Sequence, residues 1–349
     1  LSQELLNDGV AKVLDSHKPD DLFVLRQELE TFVCEGEYAK GLEHILRTFL
    51  SNLDKPKQPS VWVSGFFGSG KSHLVKMARA LWVDVQFPDG ATARGITRLN
   101  DEIKALLKEL SNRAKTYGGL HAASGTLGAG AGDSVRLTLL DIVFRSKGLP
   151  PDYPQARFVM WLKNENVFEK VKSAVEAAGK DWDRELNALH VSPVLAKAIL
   201  DHVPGFPAGD PAAVGDRLNT QFPMVDELTD AQMHDAISQA LMVDGKFPLT
   251  LVALDEVQQW IGTTPDRTIL VQEVTESCSA RFQGKLLFIA TGQAALRDTP
   301  MLQKLQDRFS IQIALSDADV DAVLRSVVLA KRPDQVPQLE TLLASCDGE

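Results

Sequence analysis

The octapeptide GFFGSGKS at residues 65–72 constrains this chain more than any other feature. It follows SVWVSG (60–65), a short β-branched and aromatic run that predicts a strand. SHLVKMARALW (72–82) comes next and predicts a helix by its apolar spacing. A glycine-rich turn between strand and helix points backbone N–H groups inward, toward an anion at the positive end of the helix. Gly65, Gly68 and Gly70 let the backbone curl, with Phe66, Phe67 and Ser69 between them.

The octapeptide matches G-x-x-x-x-G-K-[ST] in full, the P-loop pattern in its proper setting. Lys71 brings a full charge to the β and γ phosphates of a nucleotide, and the Ser72 hydroxyl is placed to ligate Mg²⁺. His73 is read as packing or capping beside the loop helix, and is kept with 65–72 in the nucleotide-binding set.

A second run, PLTLVALDE (248–256), is continuously apolar and closes on two carboxylates. KLLFIATGQ (285–293) is similar, and FSIQIAL (309–315) offers a third short strand. Strands without alternation belong to a parallel sheet covered by helices on both faces. Asp255 is the candidate to hold hydrated Mg²⁺, and Glu256 the candidate to polarise an attacking water. The adjacent acids point to hydrolysis rather than transfer to a second substrate. Thr291 and Gln293, at the tip of the next strand, are candidate sensors of the γ phosphate. Arg308, before the last strand, is a candidate arginine finger toward a neighbouring subunit.

These elements predict an α/β fold, a three-layer P-loop NTPase core of the additional-strand, AAA+-like kind, with a large mainly helical insertion. The segments are an N-terminal helical part (1–57), the core (58–90 and 246–315), the insertion (91–245) and the start of a C-terminal helical lid (316–349). The ends read as cut from something longer. GTLGAGAG (125–132) reads as a flexible loop or tight turn.

A net charge of −10 offers no overall basic field for nucleic acid. Cys34, Cys278 and Cys346 share no metal-ligand spacing and read as free thiols of a reducing compartment. With no run of 18 apolar residues and no signal peptide, the expectation is a cytoplasmic protein without a membrane partner.

VWVSGFFGSGKSHLVK (61–76) resembles the N-terminal ATPase region of the BREX phage-defence proteins of the BrxC/PglY type. Phe66, Phe67, Ser69 and His73 are narrower than the generic pattern. YAKGLEHILRTFL, FPDGATARG (87–95), QARFVMWL (155–162) and PLTLVALDEVQQW (248–260) are similar to its PglY branch. The resemblance spans about residues 30 to 335. It implies an AAA+-like ATPase using ATP and Mg²⁺, a piece of a longer chain, working with other defence-complex proteins and as a homo-oligomer when nucleotide is bound. DNA contact would be indirect or through missing regions. Lys71 and Ser72 match Walker A, Asp255 and Glu256 match Walker B, and Arg308 in DRF matches the finger position. Gln293 stands where such proteins usually carry an asparagine, and Thr291 is the substitute. The competing expectation is a nucleotide-gated scaffold with negligible turnover.

Overall fold

Three apolar runs that lack alternation form the middle of a five-stranded sheet, as burial on both faces requires. The computed structural model describes residues 19–127, 134–316 and Pro337. The predicted lid helix lies outside the described residues, as do 1–18.

The chain divides into two compact units, Leu1–Thr126 with Leu249–Glu349, and Leu127–Pro248. The first opens with α1 (Pro19–Glu30), α2 (Gly36–Asn52), β1 (Val61–Ser64), α3 (Lys71–Val83), α4 (Ala93–Ile96), α5 (Asp101–Ala114) and β2 (Leu120–Thr126). After the second unit it resumes with β3 (Leu249–Asp255), α13 (Val257–Ile261), α14 (Pro265–Phe282), β4 (Leu286–Gly292) and β5 (Ile311–Ala314). Strand order is β2-β3-β4-β1-β5, and every pair is parallel.

Alternation along the strands supplies two cores. Val61, Val63, Leu251, Ala253, Leu287, Ile289, Ile311 and Ile313 share a cluster with α2, α3 and α5. Trp62 belongs to the opposite side, where it stands edge-on to Phe309 with centroids 5.9 Å apart. On the first side Phe49 of α2 is fully buried against Trp82 of α3, centroids 4.6 Å apart. Trp82 in turn donates its indole N–H to Leu249 O at 3.0 Å, tying α3 to β3.

The insertion is shorter than expected, and its boundary at 91 is corrected. It begins at Leu127, because α5 packs on α2 and the following segment pairs with β3. That segment, LHAASGT, carries small and polar residues and gives no strand signal of its own. The ladder to β3, from Leu120↔Leu249 to Thr126↔Asp255, makes it a strand. Tertiary pairing overrides weak β-propensity here. Of the predicted loop 125–132, Gly125 and Thr126 therefore belong to β2, and 128–132 lie outside the described residues.

The second unit is helical among its described residues: α6 (Val135–Arg145), α7 (Tyr153–Asn164), α8 (Phe168–Ala177), α9 (Trp182–Asn187), α10 (Pro193–His202), α11 (Pro211–Gln221) and α12 (Asp230–Leu241). Buried Phe158 and Phe222 cluster with half-buried Trp161 and Phe206. A reciprocal Thr229–Gln232 capping box starts α12. Arg136 reaches Asp230 at 2.7 Å and joins α6 to that start. Among the described residues, no helix is long and apolar enough to cross a membrane.

Phe49→Ala would empty a fully buried aromatic site between α2 and α3. A loss of about 3–5 kcal/mol is expected in urea unfolding, with secondary structure retained at low denaturant.

Candidate functional site

All strands being parallel, the residues that follow them gather at one edge of the sheet. The glycine loop leaves β1 there, Asp255 ends β3, and Thr291 and Gly292 end β4. Because β4 lies between β1 and β3, its tip separates the loop from the acidic pair.

The loop is held from within. The Lys71 ammonium donates to Gly65 O and Phe66 O, both at 2.9 Å. Partial burial lowers its pKa, while Asp255 acts in the opposite direction. Ser69 N–H donates to Phe66 O at 3.2 Å, closing the turn. No side chain caps α3, so the N–H groups of its first turn remain as donors at its positive end. Ser72 stands beside Lys71 in this first turn, partly exposed.

The remaining predicted loop residues divide by exposure. Phe67 is 87% exposed and Phe66 45%. The Ser69 side chain is buried inside the loop and turned away from any ligand. His73 turns behind the helix, edge-on to Phe32 with centroids 5.6 Å apart. Burial, assisted by Lys76, pushes its imidazole down to about 4, so it is neutral at physiological pH. Its packing role is the one the structure supports. Behind it, Lys76 and Glu28 form a buried ion pair at 2.5 Å between α3 and α1.

At the acidic end, the Thr291 hydroxyl donates to Asp255 Oδ1. The Glu256 N–H donates to both Thr291 Oγ1 and Asp255 Oδ1, each at 3.0 Å. Glu256 itself is exposed and adopts φ 57°, ψ 28°, a left-handed conformation that costs a non-glycine residue about 1–2 kcal/mol. Such strain persists where surrounding bonds over-determine it, and it concentrates at functional sites.

Gln293 enters the arrangement through its backbone. Its N–H and that of Ala294 both donate to Gln258 Oε1, at 2.6 and 2.8 Å. Gln258, on α13 two residues past Glu256, thereby ties the β4 tip to the acidic turn. The fit is tight: a Cβ on Gly292 would lie 2.2 Å from Trp62 Cζ2 and 2.9 Å from Gln258 Oε1. Trp62 also donates its indole N–H to Ala294 O at 3.0 Å. Sequence reading passed over Gln258 and Trp62, whose partners lie 35 and more residues away.

Arg308 is not brought to this edge. Ser60 N–H, just before β1, donates to Arg308 O, and the Arg308 guanidinium donates to Gln58 O at 2.7 Å. Both contacts lie at the start of β1, the opposite edge of the sheet. The guanidinium is largely buried, which lowers its pKa. The finger expected at Arg308 is corrected to an internal anchor, because the approach of β1 to β5 brings the Gln58 carbonyl to it.

The oxygen donors Ser72 and Asp255 suit Mg²⁺, which takes one or two protein oxygens and keeps water and phosphate oxygens for the rest. Among the described residues no cluster of three His, Cys, Asp or Glu forms a cage of its own. Asp255 Oδ1 is engaged by both Thr291 and the Glu256 N–H. Neither protein-family models nor solved structures yield a match to this chain.

Arg308→Ala is expected to lower stability by about 1–3 kcal/mol, the cost of a lost charged hydrogen bond to the carbonyl of buried Gln58. Chemical denaturation measures it. A shift of phosphate-loop resonances in the NMR spectrum without any loss of stability would contradict the anchor role.

Proposed function

We propose that this chain is a P-loop ATPase with an additional-strand, AAA+-like core. The observation that carries the reading is one sheet edge holding GFFGSGKS after β1 and Asp255-Glu256 at the end of β3, with Thr291 on the strand between them. The strand order β2-β3-β4-β1-β5, all parallel, is compatible with such a core.

In this reading the loop amides and Lys71 hold the β and γ phosphates of ATP. Mg²⁺, when bound, neutralises charge developing on those phosphates, and Ser72 and Asp255 are the residues that would hold it. Thr291 fixes the Asp255 carboxylate and the Glu256 backbone together. The Glu256 carboxylate accepts a proton from the water that attacks the γ phosphorus, as the bond to the ADP oxygen breaks. ADP and phosphate are the products. Gln293, with its amide held by Gln258, is positioned by its backbone, and Thr291 takes the polar role at the β4 tip.

We extend the proposal to a setting: a motor or switch in a multi-protein bacteriophage-defence complex of the BREX type, oligomeric when nucleotide-bound. The stretches at 61–76 and 248–260 support it. A second reading, a nucleotide-gated scaffold with negligible turnover, is favoured by one observation: Arg308 is committed to Gln58 rather than offered to a neighbour.

ATP turnover by the full chain, alone and with partner proteins, tests these readings. Lys71→Ala should weaken ATP binding by about tenfold or more, since it removes a charge-assisted contact. Glu256→Gln should keep binding and lose about 10²–10⁴ in rate, the scale of a general base. A wild-type rate no higher than that of Lys71→Ala would rule out the ATPase. Tight binding with equal rates would select the scaffold.

A further inference from the structure

One residue of the N-terminal helices touches the backbone of the phosphate loop directly. Tyr38, in the first turn of α2, is buried at 5% exposure and donates its hydroxyl to Ser69 O at 2.8 Å. Its ring stands edge-on to Phe32, centroids 5.9 Å apart, and Phe32 stands edge-on to His73. Gly41, one turn further along α2, sits against Ile313 of β5: a Cβ there would lie 3.0 Å from the Ile313 side chain. The helix that carries Tyr38 is therefore seated closely on the sheet.

The match between Tyr38 and the loop is equally close. A Cβ on Gly70 would fall 2.0 Å from the Tyr38 hydroxyl oxygen, and φ of 84° at Gly70 is left-handed backbone. Every described peptide is trans. A trans peptide sends its N–H opposite to its C=O. With the Ser69 carbonyl held toward α2, the Gly70 N–H is turned to the other side of that peptide, away from α2.

We propose that Tyr38 is a positioning residue for the phosphate loop. By gripping the Ser69 carbonyl, it fixes the direction of the Gly70 amide as a donor to the ligand's phosphate. The proposal rests on the phosphate-binding reading of the loop. A buried tyrosine that served packing alone would do its work through the ring, and its hydroxyl would be dispensable to ligand affinity.

Tyr38→Phe in the full chain separates the two, since it keeps the ring. Amide hydrogen exchange across 65–72 should speed up by about fivefold or more, with the last turn of α3 unchanged. Calorimetric binding of a non-hydrolysable ATP analogue should weaken by about 2- to 12-fold, the worth of one hydrogen bond. KM should rise more than kcat falls. Unchanged loop exchange would overturn the proposal. So would unchanged analogue affinity where the wild type binds. A wild type that fails to bind the analogue would remove the phosphate reading, and loop exchange would still judge the grip of Tyr38 on the loop. If Tyr38→Phe is poorly folded, Gly70→Ala alone provides a second route, because its methyl meets the Tyr38 hydroxyl and displaces it from Ser69 O. Exchange across 65–72 should then speed up by about fivefold or more. Unchanged exchange would overturn the contact.

Discussion

Parallel pairing of β1 with β4, Ser64 opposite Gly292, is the constraint on which the site depends. It makes the glycine loop and the β4 tip leave the sheet side by side. The fit is enforced by Trp62, whose indole passes so close to Gly292 that no side chain can stand there. Trp62 then holds Ala294 O while Gln258 holds the two adjacent N–H groups. A turn that would otherwise expose three backbone groups is fully engaged. The acidic residues on β3 are referenced to that turn through Thr291. A shift of β4 by one residue would exchange Thr291 with Gly292 and break both connections.

The opposite edge of the sheet bears a different load. There the chain must enter β1 after Pro56 and Pro59, and it does so on buried polar contacts. Gln58 is fully buried, and its amide donates to Phe49 O and Gly284 O at 2.9 and 2.8 Å. Arg308 and Ser279 meet the same residue. Directional bonds of this kind specify the entry angle of β1 more sharply than apolar packing can. Both edges bind charge to the protein's own carbonyls: Arg308 to Gln58 O at the entry, and Lys71 to Gly65 O and Phe66 O at the exit.

What could be read in advance follows from sequence distance. The glycine loop, its strand and its helix are contiguous, so their meaning survives in one stretch of chain. β3 and β4 announce themselves because burial on both faces demands unbroken apolar residues. β2 does not, since a strand of small residues owes its existence to the neighbour it pairs with. Arg308 illustrates the same limit from the other side. Its local setting, DRF before a strand, suits a projecting arginine, yet its direction is decided by Gln58, 250 positions earlier. Tyr38, Trp62 and Gln258 act on groups 31 to 232 positions away, and no periodicity encodes those contacts.

Two left-handed residues end the same argument from opposite directions. Gly70 holds φ of 84° without cost, because glycine lacks the Cβ that would also strike Tyr38. Glu256 holds φ of 57° at a cost, and its N–H is gripped by Thr291 and Asp255. The left-handed geometry at the loop glycine reflects close packing, and a glycine serves that need. The strained geometry at Glu256 cannot be explained that way, because a glycine would relieve it while keeping the same backbone bonds. What a glycine would forfeit is the carboxylate, exposed at the edge where the loop and Asp255 meet. The conformational penalty is thus attached to an exposed carboxylate that the fold does not need for its own cohesion, which accords with the general-base role proposed for Glu256.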